Sequence, residues 1–494
     1  MPLGVFKAAL LGSGAGAKKY WFSALNCGAS DSSTTWGGGL AIDTNDEDKV
    51  YWVVQQDSTG HADHQAIMRI DASGEAPVIE EGRDLDDEAP FGGVTLCAND
   101  TSKVYLYGRR KANSESSQLL GLTKSDLTAT GSPDNKYAYH DSGDASGNTG
   151  KADMMMMTDD GDWWYVTCSR YNYFGWNDFT IGRQNSAVNG TSMYPTYRSG
   201  DSASYKGGTV SYINSTRWAA TWVYVNSYMI FCGGDDADAQ GSAFIWDIDT
   251  STTSIDDANC SFCLVGNDAD DVYFKIDNAQ ASYPSVYIYR FDHTTASVSW
   301  GRRLQFENMS STNYTGFQGI GNYNYCAATK PISDSNGNVY AAVGFRSGSS
   351  SGAERIGLAK WNSSGTLQWA NEIQRGYTDN SHFSPHTIAL SGDEEDLYIS
   401  VENIRVSGSG TNAAGLFKVP ADGSLTSDTA IASWLGSDTY YKTAENYTEV
   451  SDTCNINTSF TSVNWNSSGS QSTGSDGYTN SAQQNVGQST IELV

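Results

Sequence analysis

The sequence predicts an all-β fold built from a repeated unit, and three observations predict it. First, a Val-Tyr-like pair recurs inside short apolar strands, each just after a turn rich in Asp, Asn and Gly. The pairs are Val50 and Tyr51, Val104 and Tyr105, Trp164 and Tyr165, Tyr228 and Met229, Val272 and Tyr273, Val339 and Tyr340, and Leu397 and Tyr398. Second, their tyrosines are spaced by 54, 60, 63, 45, 67 and 58 residues, and self-similarity near such a period marks propellers and solenoids. Third, Gly supplies 51 of 494 residues and aromatics 12%, while no long run at helical spacing follows the first residues. That leaves strands and tight turns.

The unit from Asp334 to Gln374 shows the element order most clearly. Asp334, Asn336, Gly337 and Asn338 are turn residues that cap the backbone or tolerate its left-handed form. Val339 to Phe345 then reads as a strand, Leu358 to Trp361 as a second, Asn362 to Gly365 as a turn, and Leu367 to Ile373 as a third strand carrying Trp369. Apolar residues upstream, such as Leu40, Ala41 and Ile42 in the first unit, supply a fourth strand. Four strands per unit joined by tight turns make a propeller blade. The expectation is one β-propeller over residues 18–436 with about seven four-stranded blades. Six to eight stay open, because the unit around Tyr228 is irregular, with further candidate strands at Trp218 to Val225 and Ala243 to Asp249. Lys19 to Leu25 (KYWFSAL) resembles the Trp-bearing outer strands at Trp300, Trp369 and Trp434. It either completes the last blade or, since Trp434 offers that blade its own copy, is spare for docking.

The two ends depart from the repeat. Residues 1–17 hold a short apolar stretch and a Gly/Ala/Ser linker, read as an N-terminal anchor. The stretch is short for a secretory signal, although Ala15, Gly16 and Ala17 imitate a cleavage site. Residues 437–494 are dominated by Ser, Thr, Asn, Gly and Gln, a composition that buries little apolar surface alone. They read as a flexible extension or as an assembly arm that orders against a neighbouring subunit. Tyr440, Tyr441, Tyr447, Phe460, Val463 and Trp465 are more apolar than a linker requires.

A net charge of −27 opposes binding to nucleic acid phosphates or to an anionic membrane face. No stretch approaches the ~18 apolar residues of a membrane span. Acidic turns at Asp235, Asp236 and Asp238, at Asp268, Asp270 and Asp271, and at Asp393, Glu394, Glu395 and Asp396 are candidate calcium sites. None matches a complete calcium-binding loop, so solvated turn acids are the expectation, with no cofactor required. Eight cysteines form no tight framework, and the single C-x-x-C at Cys260 and Cys263 lacks a second pair to complete a zinc site. The pairs His61 and His64, and His382 and His386, read as surface-loop histidines, and the sequence holds no G-x-S-x-G, H-E-x-x-H or phosphate loop. No catalytic residue is assigned and no metal ligand is named. Loop aromatics are the candidate ligand-binding groups: Tyr171, Tyr173, Phe174 and Trp176 in one insertion, and Tyr323 and Tyr325, beside Tyr314 and Phe317, in another. Such rings stack on sugars, or else pack between blades or subunits.

SDSNGNVYAAVG and LAKWNSSGTLQW resemble bacterial propeller repeats that place a Gly-Asn-Val-Tyr strand before a Lys- and Trp-bearing hairpin. The opening MPLGVFKAALLGSG with KYWFSAL resembles the start of tail-associated structural proteins of marine tailed bacteriophages. The resemblance implies a non-enzymatic virion protein, folded in the host cytoplasm and displayed on the tail or outer surface. Its implied partners are other virion proteins, met through the N-terminal segment and the C-terminal extension, further copies of itself, and a host-surface glycan or protein. A secreted or surface propeller that binds glycan or protein, and a glycan-degrading propeller enzyme, are the alternatives.

Overall fold

The computed structural model describes the strands named below and the turns at 101–102, 124–128, 334–338, 362–366, 391–395 and 421–424, with shorter turn segments between others. Side-chain surroundings are described within 21–128, 271–306 and 330–452. Among the described residues every regular element is a strand.

After β1 (Trp21–Asn26) the chain runs through successive four-stranded units. The first comprises β2 (Thr34–Ile42), β3 (Lys49–Ser58), β4 (His61–Asp71) and β5 (Val78–Asp84), and the second β6 (Phe91–Leu96), β7 (Lys103–Arg109), β8 (Ser116–Thr123) and β9 (Asn135–Tyr139). The third holds β10 (Thr149–Met157), β11 (Trp163–Arg170), β12 (Asn177–Gln184) and β13 (Thr196–Tyr197). The fourth holds β14 (Lys206–Asn214), β15 (Arg217–Tyr224), β16 (Tyr228–Gly234) and β17 (Phe244–Thr250). Next come β18 (Ala258–Val265), β19 (Asp271–Asn278), β20 (Ser285–Asp292) and β21 (Ser297–Phe306), then β22 (Ile332–Ser333), β23 (Val339–Arg346), β24 (Glu354–Trp361) and β25 (Leu367–Gln374). The seventh has only three sequential strands, β26 (Ser384–Leu390), β27 (Asp396–Arg405) and β28 (Asn412–Pro420), and β1 pairs antiparallel with β28 as its fourth. A single parallel pairing, Thr34 with Asn412, links this unit to the first.

The C-terminal segment adds β29 (Thr429–Ala430), β30 (Tyr440–Thr443), β31 (Tyr447–Ser451), β32 (Cys454–Asn457), β33 (Thr473–Gly474) and β34 (Gly487–Glu492). They extend the outer edges of sheets already formed by this same chain.

Strand alternation explains why the units stack side by side. Successive residues of a strand point to opposite faces, so a strand buried on both faces serves two neighbours. In β3, Val50, Trp52 and Val54 join the core shared with the seventh unit, whereas Tyr51 and Val53 join the core shared with the second. In β23, Val339, Ala341 and Val343 face the fifth unit, and Tyr340 and Ala342 face the seventh. Leu397 and Tyr398 divide between the sixth and the first in the same way. Each of these three pairs is therefore a two-way joint, its first member packed on the preceding unit and its second on the following one.

Innermost strands also lie beside one another, β6 on β2, β10 on β6, β14 on β10, β18 on β14, and β26 on β2. The array returns on itself, which is the arrangement of a β-propeller.

Candidate functional site

Strand direction divides the molecule into two faces. Within each unit the connections from first to second strand and from third to fourth strand open on one face. Those from second to third strand, and from one unit to the next, open on the other. The first group includes the tight turns at 334–338 and 362–366. The second group contains the two connections that carry the candidate aromatics: residues 171–176 join Arg170 to Asn177, the paired ends of β11 and β12, and residues 307–329 lead from β21 towards β22. The candidate residues Tyr171, Tyr173, Phe174, Trp176, Tyr323 and Tyr325 lie outside the described residues. The stems that carry both insertions open on the same face.

The turn face is built from a repeated trio. The repeat tyrosine pairs across the ladder with a cation on the third strand, and that cation pairs with a tryptophan on the fourth: Tyr340, Lys360 and Trp369 in the sixth unit, and Tyr273, Arg290 and Trp300 in the fifth. In the seventh the trio is Tyr398, Lys418 and Trp21, with the tryptophan supplied by β1. The Tyr and Trp ring centroids are 6.2, 6.0 and 6.1 Å apart in the three units. Lys360 Nζ sits 4.6 Å from the Tyr340 ring and Lys418 Nζ 5.7 Å from the Tyr398 ring, within reach of the ring quadrupole. Of the two sequence readings of Lys19 to Leu25, the structure takes the closing strand; Trp434 lies outside the described residues.

In the sixth unit the Asp turn locks the trio. Asp334 Oδ1 accepts the backbone N–H groups of Asn336 (3.0 Å) and Asn338 (2.9 Å), and Oδ2 accepts Asn338 Nδ2 (2.7 Å) and the Tyr340 hydroxyl (3.1 Å). Lys360 Nζ lies 3.3 Å from the same oxygen. Burial alone would push the Asp334 carboxyl up, but the Asn338 bonds, Lys360 and Tyr340 together hold it below the ordinary range. Tyr340 is pushed up by burial and by the charge of Asp334, so its hydroxyl stays a donor.

The third-strand cation then reaches into the next unit. Arg290 Nη1 donates to the Ser363 carbonyl (2.9 Å), and the Trp300 indole N–H donates to the same carbonyl (3.0 Å). Lys418 donates to the Ala72 carbonyl (3.3 Å) across the seam between the seventh and first units, and Arg69 donates to the carbonyls of Lys124 and of Ser125 (2.7 Å for the latter). Other bonds tie neighbouring turns together: Ser335 donates its N–H and hydroxyl to Glu394 (both 2.6 Å), and Lys124 pairs with Asp43 (2.9 Å). The seam thus uses the same joint as the covalently continuous boundaries.

These contacts answer several sequence expectations. In the acidic turn at 393–396, Asp393 accepts from Ser391 Oγ (2.6 Å) and from the N–H of Glu395 (3.1 Å), Glu394 is held by Ser335, and Asp396 pairs with Lys418 (2.8 Å). The turns at Asp235, Asp236 and Asp238 and at Asp268 and Asp270 lie outside the described residues. Among the described residues no cluster of three metal-ligating side chains occurs. The surface-loop expectation for the histidines needs correction. His61 and His64 belong to β4, and His386 lies in β26 with only 1% of its surface exposed, because β26 is an innermost strand packed on β2. Burial pushes the His386 imidazole down to about 4, against the opposing bond with the Gly38 backbone. His382 lies outside the described residues, and Cys260 and Cys263 both sit in β18.

Sequence reading missed the rim contacts of the C-terminal segment. Tyr441 is buried and its hydroxyl accepts Asn371 Nδ2 (3.1 Å), Lys442 lies 3.3 Å from Glu372, and Glu449 accepts the Trp361 indole N–H (2.9 Å). Asp452, 6% exposed, accepts the Tyr289 hydroxyl (2.9 Å) and donates its backbone N–H to the Gly301 carbonyl (3.1 Å). Composition masks these positions; the tyrosines at 440, 441 and 447 were the visible signal.

No family model and no curated protein matches the chain. Among solved structures, a Dyadobacter fermentans protein of unknown function matches at 12% identity and TM-score 0.41, covering 81% of this chain and 98% of that one. The phage phi92 endosialidase matches at 9% identity and TM-score 0.41 (83% and 71% covered), and Chaetomium thermophilum Sqt1 at 9% and 0.41 (80% and 96%). The propeller assignment rests on the strand pairings of this chain itself.

Proposed function

We propose that the chain is a non-enzymatic structural protein of a tailed-bacteriophage particle, tail-associated, whose seven-bladed propeller is displayed for assembly or host-surface attachment. The observation that carries this reading is the opposition of its two faces. β1 begins at Trp21 beside the Lys418 end of β28, so the first described strand enters the ring on the face that carries the turns at 334–338 and 362–366. The aromatic-bearing insertions open on the far side. A propeller anchored through its N-terminal segment presents the opposite face outward, where Tyr171, Tyr173, Phe174, Trp176, Tyr323 and Tyr325 are the residues proposed to meet a host glycan or protein. Other virion proteins are the proposed partners of the anchor, and the chain is proposed to occur in several copies.

Mass spectrometry of purified particles tests the reading, with the chain expected at structural stoichiometry; its absence from particles would overturn it. A glycan array with the isolated protein separates recognition from a purely architectural role. Depolymerisation of a host-envelope glycan would favour the enzyme reading instead.

A further inference from the structure

We infer that the C-terminal segment is a girdle acting within its own chain, and that its last strand is the clasp that holds the N-terminal strand in the ring. This goes beyond the virion reading and does not depend on it.

The girdle crosses the units in the reverse of chain order. β30 extends β25 of the sixth unit, β31 extends β21 of the fifth, β32 extends β17 of the fourth, β33 extends β9 of the second, and β34 extends β1 of the seventh. The antiparallel pairings send β30, β31, β32 and β34 in the same direction, so each step repeats the last. The step length is nearly constant. Lys442 sits opposite Glu372, three residues past Trp369, and Val450 sits opposite Arg303, three residues past Trp300, eight residues later. Asn457 faces Asp247 in the next unit. Ser489 faces Ala24, three residues past Trp21, 47 residues and six units after Lys442. The segment therefore advances by about eight residues per unit, and the intervals between β32 and β33 and between β33 and β34 each hold chain for two such steps.

Two links at the hops fix the first turns. The N–H groups of Ala444 and Asp452, again eight residues apart, donate to the carbonyls of Ala370 (3.0 Å) and Gly301 (3.1 Å), each one residue past the outer tryptophan of its unit. Links of one and the same kind at successive units, joined by three-residue and two-residue connections, fit a strap drawn around one molecule.

The clasp follows from β1. It is joined to its own unit by no sequential hairpin, only by pairing with β28 on one side and β34 on the other. A two-stranded attachment has one edge open to fraying, whereas a strand flanked on both edges has both rows of backbone groups satisfied. The ends of the chain thus secure each other at the seam.

The test joins Ser23→Cys with Thr490→Cys, opposite positions on β1 and β34, in the full chain, with each single variant as control for the native cysteines. Oxidation is expected to give a monomer of altered gel mobility, formed only by the double variant and reversed by reductant. Cross-linked dimers specific to the double variant would show that the arm is exchanged between copies and would overturn the inference, as would failure to cross-link in a folded protein whose single-variant thiols react. A second variant lacking residues 487–494 covers the case in which the cysteine pair prevents folding. Amide exchange across Trp21 to Asn26 is expected to accelerate at least tenfold in it, with exchange in β23 to β25 unchanged. Equal protection of β1 with and without β34 would refute the clasp.

Discussion

Replacing Trp21 by Ala should open the ring at its seam. Trp21 is fully buried, packs on Tyr398 with centroids 6.1 Å apart, and shares a core with Trp52, Ala72 and Leu416. Truncating a buried Trp costs about 3–5 kcal/mol through lost transfer energy and the cavity left behind. Loss of the tilted aromatic pair costs roughly a further 0.5–1.5 kcal/mol. Against this, the Trp21 indole N–H is buried without an acceptor, and removing it recovers about 1–3 kcal/mol. The net expectation is a central loss of about 3 kcal/mol. An unfolding entropy of about 2.1 cal/mol/K per residue gives about 1 kcal/mol/K for this chain, so the melting temperature falls by about 3 °C if it unfolds as one unit. Trp21→Phe keeps a ring and drops the orphan donor, so it should stay within about 1 °C of the parent. Differential scanning calorimetry of the three proteins decides. If Trp21→Ala melts within 1 °C of the parent, or Trp21→Phe loses as much as Trp21→Ala, the seam reasoning is wrong.

Glycine substitutions at three left-handed turn positions should rank by what a Cβ would meet. At Gly365 (φ 78°) and Gly423 (φ 72°) it would stand 2.6 and 2.5 Å from the rings of Trp300 and Trp369, but at Gly337 (φ 73°) only 3.4 Å from Ser363. Gly365→Ala and Gly423→Ala should therefore cost about 2–4 kcal/mol and Gly337→Ala about 1 kcal/mol, read as urea midpoints. His386 predicts an acid-sensitive seam: with the folded group near 4 and its ordinary value 6.5, the unfolded chain binds the extra proton between those values. Stability should be complete above pH 6.5 and fall by about 3 kcal/mol as pH drops to 4, and His386→Phe should flatten that part of a stability-versus-pH curve. Asp334→Ala strands the Asn336 and Asn338 N–H groups, the Tyr340 hydroxyl and Lys360. A loss of about 2–4 kcal/mol is expected by denaturant unfolding, with Asp334→Asn recovering part of it.

How much was legible depended on whether a signal was local. The turn chemistry of Asp334 to Asn338 and the strand from Val339 could be read because the cap and the alternation lie within a dozen residues. The resemblance of KYWFSAL to the Trp-bearing outer strands was also visible, and the structure places Trp21 opposite Lys418 as Trp369 stands opposite Lys360. His386 was misread because FSPH looks like loop punctuation, and its burial comes from β2, some 350 residues away. Tyr441, Glu449 and Asp452 were hidden in a polar segment whose partners, Asn371, Trp361 and Tyr289, lie 70 to 163 residues upstream.

The sequence by itself determined the repeated unit, its turns and its all-β character, since backbone capping and two-residue alternation are properties of adjacent residues. Only the tertiary structure decided what the Val-Tyr pair is for: one side chain packs on the unit behind and the other on the unit ahead, because alternate residues of a doubly buried strand face opposite neighbours. It also decided that the chain's first strand sits between β28 and its last strand. That pairing joins positions more than 450 residues apart, and no local preference encodes it; it follows from open strand edges that must be satisfied once the ring has formed.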